Sequence, residues 1–94
     1  MNIKTISFFK YLGVLPESID ELCGICPEIF DFDSDWVIEN ILLVIAYGYP
    51  KDDIFDLLAQ NYGFVFTPKE ELKQKLDDIE GDVEEALKMN PFLI

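Results

Sequence analysis

Cys23-Gly24-Ile25-Cys26 places two thiols at a spacing that serves either a dithiol redox couple or half of a four-ligand metal site. The neighbouring residues oppose both uses. A redox CxxC opens a helix, whose positive end stabilises the thiolate; here Ile19, Leu22 and Cys23 close one, between Glu21 and Glu28, and negative charge raises a thiol pKa. Structural zinc wants four nitrogen or sulfur ligands, and the chain has two Cys and no His, so a second copy would have to complete the set. We read Cys23 and Cys26 as small buried residues, with no metal and no cofactor expected.

Asp31-Phe32-Asp33-Ser34-Asp35 begins like a calcium loop, with carboxylates at alternate positions. It departs from one where geometry matters most. Trp36 stands where the sharp turn requires Gly, and Leu42 where a bidentate Glu should be. The segment is better explained as a solvated acidic approach to a helix, with Asp33 or Ser34 as its cap.

The other carboxylates fall into three groups: Glu17, Asp20 and Glu21; Asp52, Asp53 and Asp56; and Asp77, Asp78, Glu80, Asp82, Glu84 and Glu85. Paired carboxylates hydrolyse glycosides, but only in a cleft and with a raised pKa on one member, for which so short a chain has little room. They also keep an apolar protein in solution, or present a negative surface to a basic partner. The third group is the densest, so its six residues are the expected partner-binding set.

The charge balance narrows the chemistry further. Nineteen Asp and Glu stand against seven Lys, with no Arg and no His, for a formal charge of -12. Direct nucleic-acid binding and docking on an anionic membrane are disfavoured, since both need a basic surface. Without His, the Ser-His-Asp, Cys-His and His-zinc devices are excluded, and no enzyme is expected. The longest apolar run, Ile41 to Tyr47, is far short of the roughly 20 residues that cross a bilayer. No cleavable signal is evident near Lys4 and Lys10, so a cytoplasmic location is expected.

The elements that must position these residues are helices. Half of the 94 residues are apolar, enough for one domain with one core. Ile3, Ile6, Phe9 and Leu12 recur at helical spacing before Gly13, although alternation through Ile6 and Phe8 also permits a strand. Pro16 opens a second helix that Gly24 should stop, and a connection with about one helical turn follows. From Trp36 to Tyr47 only Glu39 and Asn40 are polar, which predicts a central helix over 35–47. Pro50 opens the next, with Ile54, Phe55, Leu57, Leu58 and Tyr62 on one face and Gly63 as its stop, before an extended bridge at Phe64-Val65-Phe66.

Thr67-Pro68-Lys69-Glu70 has the form of a capping box: Thr67 as cap, Pro68 in the first helical position and Glu70 three residues after the cap. The stripe Leu72, Leu76, Ile79, Val83, Ala86 then predicts one continuous helix to about Met89, with Gly81 on its wet side, and Pro91 ends it. The expected fold is all-α: a compact bundle of about five helices around the central one, as a single domain over 1–94, with room for one minor strand.

From Asp53 to Leu72, the helix with Leu57, Leu58 and Ala59, then Gly63, Phe64, Phe66 and Thr67 up to Glu71 and Leu72, resembles part of the Nif11-type leader domains of ribosomal peptide precursors. The resemblance spans about a fifth of the chain and implies a peptide-precursor leader. From the residues themselves, the expected function is a non-enzymatic acidic interaction domain, of the inhibitor, immunity-protein or nucleic-acid-mimic kind, engaging a basic protein partner. The structural alternative is a homodimer or assembly subunit that buries Phe92, Leu93 and Ile94.

Overall fold

Asp33 starts the central helix by turning its carboxylate back onto the chain, where Oδ1 accepts from the backbone N–H groups of Asp35 (2.9 Å) and Trp36 (3.2 Å). In this computed structural model, which describes residues 3–94, that helix is the fourth of seven. They are α1 (Ile3–Tyr11), α2 (Pro16–Ile25), α3 (Glu28–Asp31), α4 (Ser34–Ala46), α5 (Ile54–Gln60), α6 (Lys69–Asp77) and α7 (Val83–Met89). Short 3₁₀ turns occupy Lys51–Asp53, Gly63–Phe66 and Pro91–Leu93, and no strand occurs among the described residues. The all-α expectation holds, and the N-terminal segment resolves to helix from Ile3 onward.

α4 packs against α1, α3, α6 and the Gly63–Phe66 turn, with Val37, Ile41 and Val44 fully buried along its inner side. Around it Phe9, Phe30, Ile54, Leu58, Phe64 and Leu72 close the core. Burying side chains of this size contributes about 1.5–3 kcal/mol each, which is what a chain with so much surface charge requires to remain folded. No helix is long and apolar enough to cross a membrane among the described residues.

Five local expectations are corrected. Gly24 does not stop α2, which runs through it to Ile25; the helix ends where the Cys26 N–H bonds the Leu22 carbonyl at 2.8 Å. α5 ends at Gln60, so Gly63 instead opens the next turn. Phe64 to Phe66 is not extended but part of that 3₁₀ turn: Phe64 and Val65 are both wholly buried, whereas a strand would send neighbouring side chains to opposite faces.

The last helix is not continuous. α6 ends at Asp77, Gly81 takes a φ of +82°, and α7 begins at Val83 with Asp82 as cap, its carboxylate accepting from the Glu84 N–H at 2.9 Å. Left-handed backbone is accessible to Gly at little cost, and Asp82 then supplies a new start. This break and the one-turn α3 raise the helix number above the expected five.

Thr67 does not cap α6. Pro68 occupies the cap position, its carbonyl accepting from the Leu72 N–H at 2.9 Å, and the Thr67 hydroxyl turns back toward the Gly63 carbonyl at 3.5 Å. Thr67→Ala is therefore expected to change stability by less than about 0.5 kcal/mol, against the roughly 1 kcal/mol that loss of a true cap costs. Urea denaturation checks this, and a loss of about 1 kcal/mol would restore the capping role.

Candidate functional site

Of the six carboxylates expected to meet a partner, most also do work inside the fold. Asp77 accepts from the Tyr47 hydroxyl and from Lys73, 3.1 Å away; these two partners, the hydroxyl foremost, hold its carboxyl below the ordinary Asp range. Asp78 accepts from the Gln74 amide at 3.0 Å, and Asp82 caps α7. Glu84 shares Lys88 with Asp53, at 2.8 and 2.9 Å, and the paired carboxylates, Glu84 foremost, raise the lysine's pKa. Glu80 and Glu85 are exposed and reach no ion-pairing lysine among the described residues.

The break at Gly81 brings this group beside apolar surface. A hollow of about 280 Å³ is lined by Lys75, Asp78, Ile79, Glu80, Ala86 and Leu93. A second, of about 360 Å³, shares Glu80 and Ala86 with it and adds Gly81, Asp82, Glu85 and Met89. Met89 is 81% exposed and the nearby Phe92 71%, whereas Ile94 is buried in the core. Ile94 is thus withdrawn from the surplus apolar tail expected at Phe92, Leu93 and Ile94.

The remaining sequence motifs separate from one another. Cys26 is buried and donates its thiol hydrogen to Glu28 Oε2 at 3.1 Å; burial, then this bond to a carboxylate, pushes its pKa up to about 11. Cys23, half-buried, is also raised, by burial first and then by Asp20 and Asp31. Neither thiol is activated for nucleophilic or redox work at neutral pH. Asp33 is engaged with the start of α4 and Asp35 with Lys4, and no three Asp, Glu, Cys or His side chains converge as a metal site among the described residues.

Sequence reasoning did not single out the hollow between the starts of α4 and α6. It measures about 330 Å³ and is lined by Asp33, Asp35, Trp36, Glu39, Asn40, Pro68, Lys69 and Glu70. Helical spacing builds one wall, since Asp35 and Glu39, and Trp36 and Asn40, are each four residues apart and stack on adjacent turns of α4. The Trp36 indole N–H donates to the Thr67 carbonyl at 3.0 Å, and Phe32 meets the ring edge-on, with 5.7 Å between centroids.

Asn40 is 1% exposed, and its amide nitrogen lies 3.1, 3.1 and 2.7 Å from the carbonyls of Phe64, Val65 and Thr67, while its Oδ1 has no hydrogen-bond partner. The signal for this site was present in the sequence: Glu39 and Asn40 are the only polar residues between Trp36 and Tyr47. Polar groups kept on an otherwise apolar helix call for partners.

Comparison with protein-family models finds no match for this chain, and comparisons with curated proteins and with solved structures find none either.

Proposed function

We propose that this protein is a non-enzymatic interaction domain whose acidic α6–α7 surface engages a basic protein partner. The observation that supports this reading is the adjacency of exposed Met89 and Leu93 to Asp78, Glu80, Asp82 and Glu85 around two contiguous hollows. Protein interfaces combine an apolar centre with a polar rim, and a rim of one sign steers an oppositely charged partner into place. A chain of -12 net charge with no His or Arg lacks the usual means of acid-base and phosphoryl chemistry, which favours binding over turnover.

Self-association through Met89, Phe92 and Leu93 is the second reading, favoured by their exposure and opposed by repulsion between two copies of like charge. Copurification at low salt separates the two, since a basic protein is recovered in the first case and only further copies of this chain in the second. With the partner in hand, Asp78→Asn, Asp82→Asn and Glu85→Gln together are expected to slow association about tenfold at low salt and to flatten its salt dependence. Asparagine caps a helix about as well as aspartate, so Asp82→Asn leaves the start of α7 in place. The control replaces Glu17, Asp20 and Glu21; equal rates for both triple variants and the parent would overturn the reading.

A further inference from the structure

The corner at Gly81 divides the α6–α7 surface between two parts of the chain. The hollow of about 280 Å³ takes Lys75, Asp78 and Ile79 from before the corner and Ala86 and Leu93 from after it. Its shape therefore depends on residues 82–94 lying where they do. Within that segment each element is closed off locally: Asp82 caps α7, and in the following turn Asn90 Oδ1 accepts from the Phe92 N–H at 3.1 Å. α7 makes its main backbone contact with that turn. The segment is a small folded unit, joined to the rest through an exposed glycine with no heavy atom within 4 Å of where a Cβ would stand.

What fastens this unit is limited. Val83, Leu87 and Ile94 are its buried side chains. Among the described residues, its polar bonds to the rest of the protein are Lys88 to Asp53 at 2.9 Å, the Asn61 amide to the Pro91 carbonyl at 2.8 Å and Lys75 to the Ile94 carbonyl at 3.4 Å. By contrast α4 is enclosed by α1, α3, α6 and the Gly63–Phe66 turn. A seven-residue helix such as α7 persists only through its packing, since isolated helices below about 12–15 residues are marginal in water. Segments with few buried contacts open at lower free energy than the core, and they do so in contiguous units.

We propose that residues 82–94 act as a latch, undocking as one unit about Gly81 with Lys88 as its clasp on Asp53, and that the α6–α7 surface is complete only while the latch is docked. A partner that spans the corner then selects the docked state. The control of binding rests on the basic-partner reading above, whereas the opening itself does not. The opening is therefore measured on the protein alone, by amide hydrogen exchange followed by NMR across sub-denaturing urea. The Ala86 and Asn90 amides, bonded to the Asp82 and Ala86 carbonyls at 3.0 and 2.9 Å, report on the latch. The amides of Ile41 and Val44 in α4 report on global unfolding.

The opening constant at Ala86 and Asn90 is expected to exceed that at Ile41 and Val44 roughly tenfold or more, with a shallower dependence on urea. Val37→Ala, a change in the buried side of α4, should raise the constant at Ile41 and Val44 roughly fivefold and leave the latch amides unchanged. Asp53→Asn should raise it at Ala86 and Asn90 about two- to fivefold, the range a half-exposed ion pair supports. Asp53 makes no side-chain cap bond to α5, so that helix start is kept. Equal constants and slopes in α4 and α7, an equal response of both to Val37→Ala, or a latch indifferent to Asp53→Asn would each overturn the proposal. With a basic partner present at about 100 times its dissociation constant, exchange at Ala86 and Asn90 should slow about a hundredfold. Binding without that slowing would overturn the coupling of surface to latch, whereas absence of any such partner would sink the basic-partner reading and leave the measured opening standing.

Discussion

Asn40→Leu is expected to lower the free energy of unfolding by about 2 kcal/mol, although Leu has as many side-chain heavy atoms as Asn and the position is buried. The loss comes from the turn that Asn40 secures. Of its three acceptors, the Thr67 carbonyl keeps the Trp36 indole and the Phe64 carbonyl keeps the Thr67 N–H at 3.3 Å, while the Val65 carbonyl loses its side-chain donor. An orphaned buried carbonyl costs about 1–3 kcal/mol and the weakening of the other two adds to it, less what is recovered when the unpartnered Asn40 Oδ1 is removed. Urea denaturation with an unchanged slope measures the effect, and a loss below about 1 kcal/mol would show that the turn does not depend on this amide. Asn40→Asp should cost at least as much at pH 7, because it sets a carboxylate against the same oxygens.

The second large effect is one of sign. Were residues 68–89 one helix, Gly81→Ala would remove a poor helix former and stabilise the protein by about 1 kcal/mol. With Gly81 at φ +82°, the same substitution forces a Cβ into left-handed backbone and is expected to destabilise by about 1–2 kcal/mol. Nothing crowds the position, so backbone conformation alone carries the difference. A raised denaturation midpoint in the Ala variant would establish the unbroken helix and refute the corner.

These two positions mark where reading the sequence succeeds and where it stops. The central helix, a cap at Asp33 or Ser34 and its apolar character follow from local pattern, since caps and periodicity act within a few residues; the structure selects Asp33. Leu72 and Leu76 lie buried before the break and Val83 and Leu87 after it, so the stripe persists across Gly81 even though the helix does not. Periodicity records which residues face the core, and two helices packed on one core satisfy it as well as one. At Thr67 the local pattern fits a capping box, but the observed turn sets the Thr67 carbonyl under Asn40 and Trp36 and moves the start of α6 to Lys69. That constraint comes from 27 and 31 residues away, outside the span of any local rule.

The α4–α6 hollow divides in the same way. Glu39 and Asn40 could be seen as polar interruptions, but their meeting with Pro68, Lys69 and Glu70 depends on how two helix starts pack. The acidic stretch from Asp77 to Glu85 was plain as composition, yet its division into a capping carboxylate, ion-paired carboxylates and unpaired ones needed the fold.

The corner at Gly81 also bears on how this protein can change over generations. Glu80, Gly81 and Asp82 are exposed and lie between two helices that are each fastened to the core by their own leucines. Lengthening a loop is cheap, about 0.6 kcal/mol for each doubling, while altering a packed helix costs several times more. Inserted residues at this corner would leave the buried layer as it is and alter only the outline and charge of the neighbouring hollows. The position gives the lineage a place to vary its surface while keeping what holds the fold together.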